Sequence, residues 1–336
     1  MTRQTTATMR DVARQAGVSL ATVSRALSLP ELVAPPTRQR VAAAARRLGY
    51  EHSRTTRSSA GTRCGFIGVV APDLINPFFL GVLTGIQDGA REAGRHVLLV
   101  DSTEDPAAEA ELTASIARRT DGLILLSSRL PASSLRDLPC PRAVLFNRTV
   151  PGLPAVLLDH ADGIRQLVTH LAHLGHRHCA YAGGPRDSFA DALRRRSLGS
   201  ACGRAGLRLT DLGSFAPRRA GGARAAEAAL NTQATALIAF NDLMALGAIA
   251  HLRERDIPVP SRMSITGFDD IPIAALSTPK LTTVAAPLHQ AGRAAVALLG
   301  AESAGAAGPQ GASPPTWTLP VRLIVRASSG LPPRHA

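Results

Sequence analysis

A chain of 336 residues exceeds one ordinary domain, and 45% apolar residues with only 3% aromatics allow cores built from Ala, Val, Leu and Ile, which excludes a disordered polymer. The formal charge is +13, and residues 1–63 hold eleven arginines against three acids, the concentrated basic footprint expected where phosphates are neutralised. Cys64, Cys140, Cys179 and Cys202 lie far apart with no CxxC, so neither a disulfide framework nor a zinc ribbon is signalled, and no stretch reaches the roughly 18 apolar residues of a membrane span. Lys280 is the sole lysine, so preference for Arg reflects codon usage, but the shortage of acids near the N-terminus does not. The opening MTRQTTATMRD lacks the apolar run of a secretory signal, and a cytoplasmic protein with no membrane partner is expected.

In chain order, Thr8 is predicted to cap a first helix that buries Val12, Ala13 and Ala16, and Gly17 to end it in a left-handed turn. Ser19 then caps a second helix with Val23, Ala26 and Leu27 inward and Leu20, Ala21, Ser24 and Arg25 outward. Pro35 suits the first turn of a third amphipathic helix through TRQRVAAAARRLGY, ending at Gly49. Three short helices around a glycine turn make an all-α helix-turn-helix head, whose second helix enters the major groove.

MRDVARQAGVSLATVSRAL followed by TRQRVAAAARRLGY resembles the DNA-binding head of the LacI/GalR family of bacterial transcription regulators. The resemblance implies that Leu20, Ala21 and Arg25 read base edges while Thr8, Ser19, Thr22, Ser24 and Ser28 hold phosphates. Arg25 has the fork that suits guanine O6/N7, whereas Leu20 and Ala21 offer only shape and thymine-methyl contact. Two departures stand out: Ala34 replaces the family's Ser-like cap of the third helix, and the linker EHSRTTRSSAGTR has Ser59 at the position of a minor-groove leucine wedge and His52 at that of a proline. Serine wedges poorly, so weaker DNA kinking than in a leucine-bearing relative is expected. Arg54, Arg57 and Arg63 remain there as candidate phosphate contacts. The implied domains are a head at 8–50, a hinge at 51–63 and a core at 64–330.

From Cys64 the pattern alternates. GFIGVV, HVLLVDS, DGLILLS, HCAYAGG, TALIAF and MSITGF read as buried strands. Helices separate them through FLGVLTGIQDGAREAG, after Pro106, through ALRRRSLGSACGRAG and through DLMALGAIAHLRERD. Two α/β subdomains with parallel sheets, divided near residue 160, would enclose a cleft at their strand ends. NPFF, DGLIL, HLAHLGHRHCAYAGG, RSLG, AFNDLMALGA, ITGFDD and PKLTTV extend the resemblance, now to the family's periplasmic-binding-protein-like core, with C-terminal crossovers near 287–325. It implies effector contacts at Phe78, Phe79, Asn147 (where relatives often carry Asp), Arg196, Phe215, Asn241 and Asp269. Carboxylate, amide, guanidinium and aromatic groups together suit a sugar, with a purine or another small metabolite as alternatives. The plainer readings are that Asn241 caps a helix, Asp269 or Asp270 caps a turn, and Phe215 is core.

HLAHLGHRHC could suggest zinc, but Gly175 ends the helix and the following strand turns alternate side chains apart, so no metal and no cofactor are expected. GGPRD and RRAGGAR read as glycine turns, and no catalytic motif assembles. ESAGAAGPQGASPP reads as a surface loop, and no heptad follows LPVRLIVRASSG that could build tetramers. The expectation is therefore a sequence-specific transcriptional repressor: a homodimer on near-palindromic operator DNA, controlled by a small-molecule effector for which those contacts favour a sugar. A transport-type sugar-binding protein and a sugar-active enzyme are the rivals; the basic head speaks against the first and the missing catalytic constellation against the second.

Overall fold

The computed structural model describes residues 8–28, 33–48, 64–138, 140, 142–301 and 314–333, without the side chains of residues 27 and 28. The chain forms two compact units, residues 1–63 and residues 64–336.

In the first unit, α1 (Met9–Ala16) opens with a reciprocal cap: Thr8 Oγ1 accepts from the Asp11 amide at 3.4 Å while Asp11 Oδ2 accepts from the Thr8 amide at 2.9 Å. Gly17 closes it at φ 63°, where a Cβ would crowd the carbonyl. Helix α2 (Leu20–Ser28) starts under Ser19, whose Oγ accepts from the Thr22 amide at 3.2 Å. Helix α3 (Pro35–Arg47) begins without a side-chain cap, since Ala34 has none to offer, and Pro35 supplies the helical φ instead. Val12, Val23 and Val41, one from each helix, are fully buried at the centre. Hinge residues His52, Arg54, Arg57, Ser59 and Arg63, and the Leu27 and Ser28 side chains, lie outside the described set.

The second unit holds two parallel sheets. The first runs β11-β5-β4-β3-β1-β2, with β1 (Phe66–Ala71), β2 (His96–Asp101), β3 (Gly122–Leu126), β4 (Ala143–Phe146), β5 (Ala155–Leu158) and β11 (Thr316–Leu319). Its helices are α4 (Pro77–Glu92), α5 (Pro106–Ala117), the short α6 (Ala132–Arg136) and the returning α11 (Leu288–Ala301). The second runs β7-β6-β8-β9, with β6 (His178–Gly183), β7 (Arg208–Ser214), β8 (Ala236–Ala239) and β9 (Ser264–Thr266). Helices α7 (His160–His173), α8 (Phe189–Ala205), α9 (Arg219–Leu230) and α10 (Asp242–Glu254) cover it. An antiparallel pair, β10 (Thr283–Ala285) and β12 (Arg322–Ile324), accompanies the chain's return to the first sheet.

Strands such as Gly122–Leu126 are buried at every residue, because helices cover both faces of a parallel sheet. Helices α4 and α11 pack so closely that a Cβ on Gly85 would lie 1.9 Å from the His289 carbonyl oxygen, and one on Gly292 2.1 Å from that of Val82. RRAGGAR is not a turn but the opening of α9. Gly222 packs there against α10, where a Cβ would come within 1.9 Å of the Met244 carbonyl oxygen. The glycines serve helix approach rather than chain reversal.

Candidate functional site

On the head, burial of Val23 and Ala26 fixes which face of α2 remains available. Leu20, Ala21 and Arg25 are exposed, and Thr22 and Ser24 are half-buried beside them. Leu20 is 43% exposed, an apolar side chain held in water by helix phase alone. Ser19 and Thr22 share a hydrogen bond at 2.8 Å between their hydroxyls, and Thr8 Oγ1 donates to Asp11 Oδ2 at 2.6 Å. These hydroxyls thus brace the starts of α1 and α2.

In the core, a cleft of about 450 Å³, counted out to its open mouth, lies at the carboxyl ends of the strands of both sheets. One wall carries Asp73, Asn76, Phe78 and Phe79 after β1, Glu104 after β2, Ser127 and Arg129 after β3, and Asn147 after β4. The other carries Ser188, Ala190 and Arg194 at the start of α8, Pro217 before α9, Phe240 and Asn241 before α10, and Asp269 after β9. Side chains just past a strand end point into such a crevice because neighbouring helices diverge there.

Of the residues singled out from the sequence, Phe78, Phe79, Asn147, Asn241 and Asp269 line this cleft. Phe78 and Phe79 form an edge-on pair with ring centroids 5.1 Å apart. Asn241 is also a helix cap: its Oδ1 accepts from the Met244 amide at 2.9 Å and its Nδ2 donates to the Pro217 carbonyl at 3.0 Å. Asp270 turns away to Arg326, at 2.7 Å.

Arg196 is misplaced by the sequence reading. Residues two positions apart in a helix lie about 200° apart around its axis, and the buried stripe of α8 runs through Asp191, Arg194, Leu198, Ala201 and Cys202, leaving Arg196 exposed on the far side. Arg194 is the cleft arginine. Its guanidinium lies 3.7 Å above the Phe268 ring, donates to the Phe240 carbonyl and through Nε to His160 Nδ1 at 3.3 Å, and comes within 3.8 Å of Asp269. Phe215, too, is outside the lining; it is half-buried against the hydrophobic core, and Phe240 supplies the aromatic wall instead. The burial period of α8 held the signal for Arg194. Nothing local marked Glu104, Arg129 or Asp73, which reach the cleft only through the sheet order.

The cleft's charges are matched in pairs. Arg129 meets Glu104 at 2.5 Å, Arg194 faces Asp269, and Arg218 reaches Asp73 on the opposite wall at 3.1 Å. Burial pushes the Asp269 carboxyl well above the usual carboxylate range, with Arg194 pulling the other way. Glu104 is raised for the same reason, opposed by Arg129.

The histidines of HLAHLGHRHC scatter among different partners: His170 to Ser329, His176 to Thr235 and Ser264, His178 to Thr210. Among the described residues no group of three His, Cys, Asp or Glu side chains could hold a metal, and no helix is long and apolar enough to cross a membrane.

Residues 8–53 match the family described as bacterial regulatory proteins, lacI family, and residues 168–329 match a periplasmic binding protein-like domain. The HTH-type transcriptional regulator GalS of Salmonella typhimurium is 36% identical over 300 residues, covering 87% of this chain and 88% of GalS. Among solved structures, the lac repressor dimer bound to operator and the anti-inducer ONPF matches at TM-score 0.71 and 27% identity, covering 97% of this chain and 100% of that one. A complex of the transcriptional regulator CelR with cellobiose matches at the same score and identity, over 96% and 100%. Head, two-sheet core and these likenesses converge: the chain belongs to the lacI family of bacterial regulatory proteins and is a DNA-binding transcriptional regulator, not an enzyme.

Proposed function

We propose that this protein is a cytoplasmic repressor that binds a near-palindromic operator as a homodimer and releases or grips it according to an uncharged sugar held in the core cleft. The observation that carries the sugar assignment is the internal pairing of charge: Asp73, Glu104 and Asp269 each face an arginine. A phosphorylated or otherwise anionic ligand would have to break such a pair, at a cost of several kcal/mol. Hydroxyls can share the pairs without displacing them, and Phe240, Phe78 and Phe79 cover an apolar ring face. The cellobiose complex of CelR and the operator complex of the lac repressor dimer support the same reading.

On DNA, Leu20, Ala21 and Arg25 read base edges from α2, and Thr8, Ser19, Thr22, Ser24 and Ser28 position the helix on phosphates. The linker residues Arg54 and Arg57 add backbone contacts, and Ser59 wedges weakly. The domains work as a head at 8–50, a hinge at 51–63 and an effector core at 64–330 with its subdomain division near 160. A ligand shifts operator affinity only as far as it prefers one arrangement of the two core halves.

The test pairs a thermal-shift screen of neutral sugars, sugar phosphates and nucleosides with operator selection from random duplex. Expected are a stabilising neutral sugar, and a selected sequence whose affinity drops steeply with salt. Stabilisation by sugar phosphates alone, or no preferred duplex, would overturn the reading.

A further inference from the structure

His160 is the first residue of α7, immediately after the chain leaves the first sheet, and it is buried beneath the cleft. Its ring touches both halves of the core. Nε2 lies 2.7 Å from Asn147 Oδ1 on the first half, while Arg194 Nε approaches Nδ1 at 3.3 Å and the Phe268 ring centroid is 5.3 Å away on the second.

A guanidinium has only donors, so Nδ1 must carry the lone pair. Burial, with the Arg194 charge beside it, drives the His160 pKa well below its ordinary value, so the ring is neutral and its one proton sits on Nε2. That N–H can only meet the Asn147 oxygen, which fixes the direction of the amide. Among the described residues Asn147 Nδ2 has no acceptor, and Asn147 lines the cleft. A buried, strained position adds to the case: Asn147 sits at φ 60°.

We propose that His160 is a positioning residue for the effector: held as its Nε2–H tautomer, it turns the Asn147 amide so that the NH2 group faces the cleft and the site demands an acceptor oxygen there. Through the same ring the donor on one half of the core is tied to Arg194 on the other. The proposal rests on the reading of the cleft as a sugar site, and its test separates the two.

The tautomer is read from long-range proton–nitrogen NMR of the full-length protein labelled with 15N-histidine, with His160 assigned by its loss in His160→Gln. Expected is a ring protonated at Nε2 and unchanged from about pH 5.5 to about pH 8; a Nδ1–H ring, or one that titrates in this range, overturns the proposal. Binding of D-glucose and cellobiose is then measured by calorimetry for wild type, His160→Gln and His160→Leu. Gln keeps a donor near the Nε2 position, so affinity for whichever sugar binds should stay within about threefold, whereas Leu frees the amide to flip and costs about tenfold. Equal weakening in both variants would mean that His160 only fills space, and the positioning role would be lost. If neither sugar binds the wild type, the choice of sugar class fails, and the tautomer measurement still decides how Asn147 is turned.

Discussion

Replacing Arg194 by Ala separates the buried guanidinium from its exposed neighbour two residues on. Arg194 is almost fully buried, stacks on Phe268, donates to the Phe240 carbonyl and His160, and sits 3.8 Å from a buried Asp269. Truncation leaves the Asp269 carboxylate without its cation, and breaking a buried pair in this way costs about 3–5 kcal/mol. Arg196→Ala, on the exposed face, should stay within about 0.5 kcal/mol of wild type. The Arg194 loss has a sign in pH. Burial already raises Asp269 above its reference of 3.8, and without Arg194 only the hydrogen bond with Asn76 opposes that rise. The native state then binds this proton more tightly than the unfolded chain, so stability falls as pH climbs from the reference value through the raised one. Urea melts of both variants at about pH 5 and about pH 8 measure this; the Arg194→Ala deficit should be smaller at the lower pH, and Asp269→Asn added to it should recover part of the deficit at the higher. A deficit below about 1 kcal/mol for Arg194→Ala, or an equal one for Arg196→Ala, would refute the placement of Arg194 as the cleft arginine.

Three further outcomes follow from the same geometry. Gly17→Ala should lower head stability by about 1–2 kcal/mol, seen in the helical circular-dichroism melt, because φ 63° sets a Cβ against the carbonyl. Gly85→Ala should cost about 3 kcal/mol in core unfolding, since the new Cβ meets the His289 carbonyl oxygen at 1.9 Å and α4 must move off α11; an unaltered melt would mean that the helices are not so close. Asp242, buried and pushed up to about 6, accepts from Thr283 Oγ1 at 2.5 Å and from the Ile271 amide at 2.9 Å. As its native pKa exceeds the unfolded one, it weakens the core as pH rises from about 4 to about 6, and Asp242→Asn, to which the Thr283 hydroxyl can turn as acceptor, should flatten that slope in urea melts.

The head was legible because its determinants are local. Thr8, Gly17 and Ser19 act within one turn of themselves, and the apolar spacing of Val12, Ala13, Ala16, Val23 and Ala26 is a helical period that needs no distant partner to be recognised. The strand–helix alternation of the core was equally open, for runs such as GLILL can only be buried on both faces. RRAGGAR misled because glycines that permit close helix packing look, in one dimension, like glycines that permit turns.

The sequence by itself determined the helix-turn-helix, the exposed row Leu20, Ala21 and Arg25, the two-sheet α/β core and the strand-end segments that carry Asn147, Asn241 and Asp269; Phe78 and Phe79 proved to lie in the first turn of α4 rather than in a loop. Tertiary structure decided which charges share the cleft: Arg194 in place of Arg196, Phe240 in place of Phe215, and Glu104, Arg129 and Asp73 gathered from separate strand ends. The reason is physical: helix phase and strand burial are set by neighbours a few residues away, whereas the pairing of buried charges depends on strand order, which brings residues dozens of positions apart within hydrogen-bonding distance.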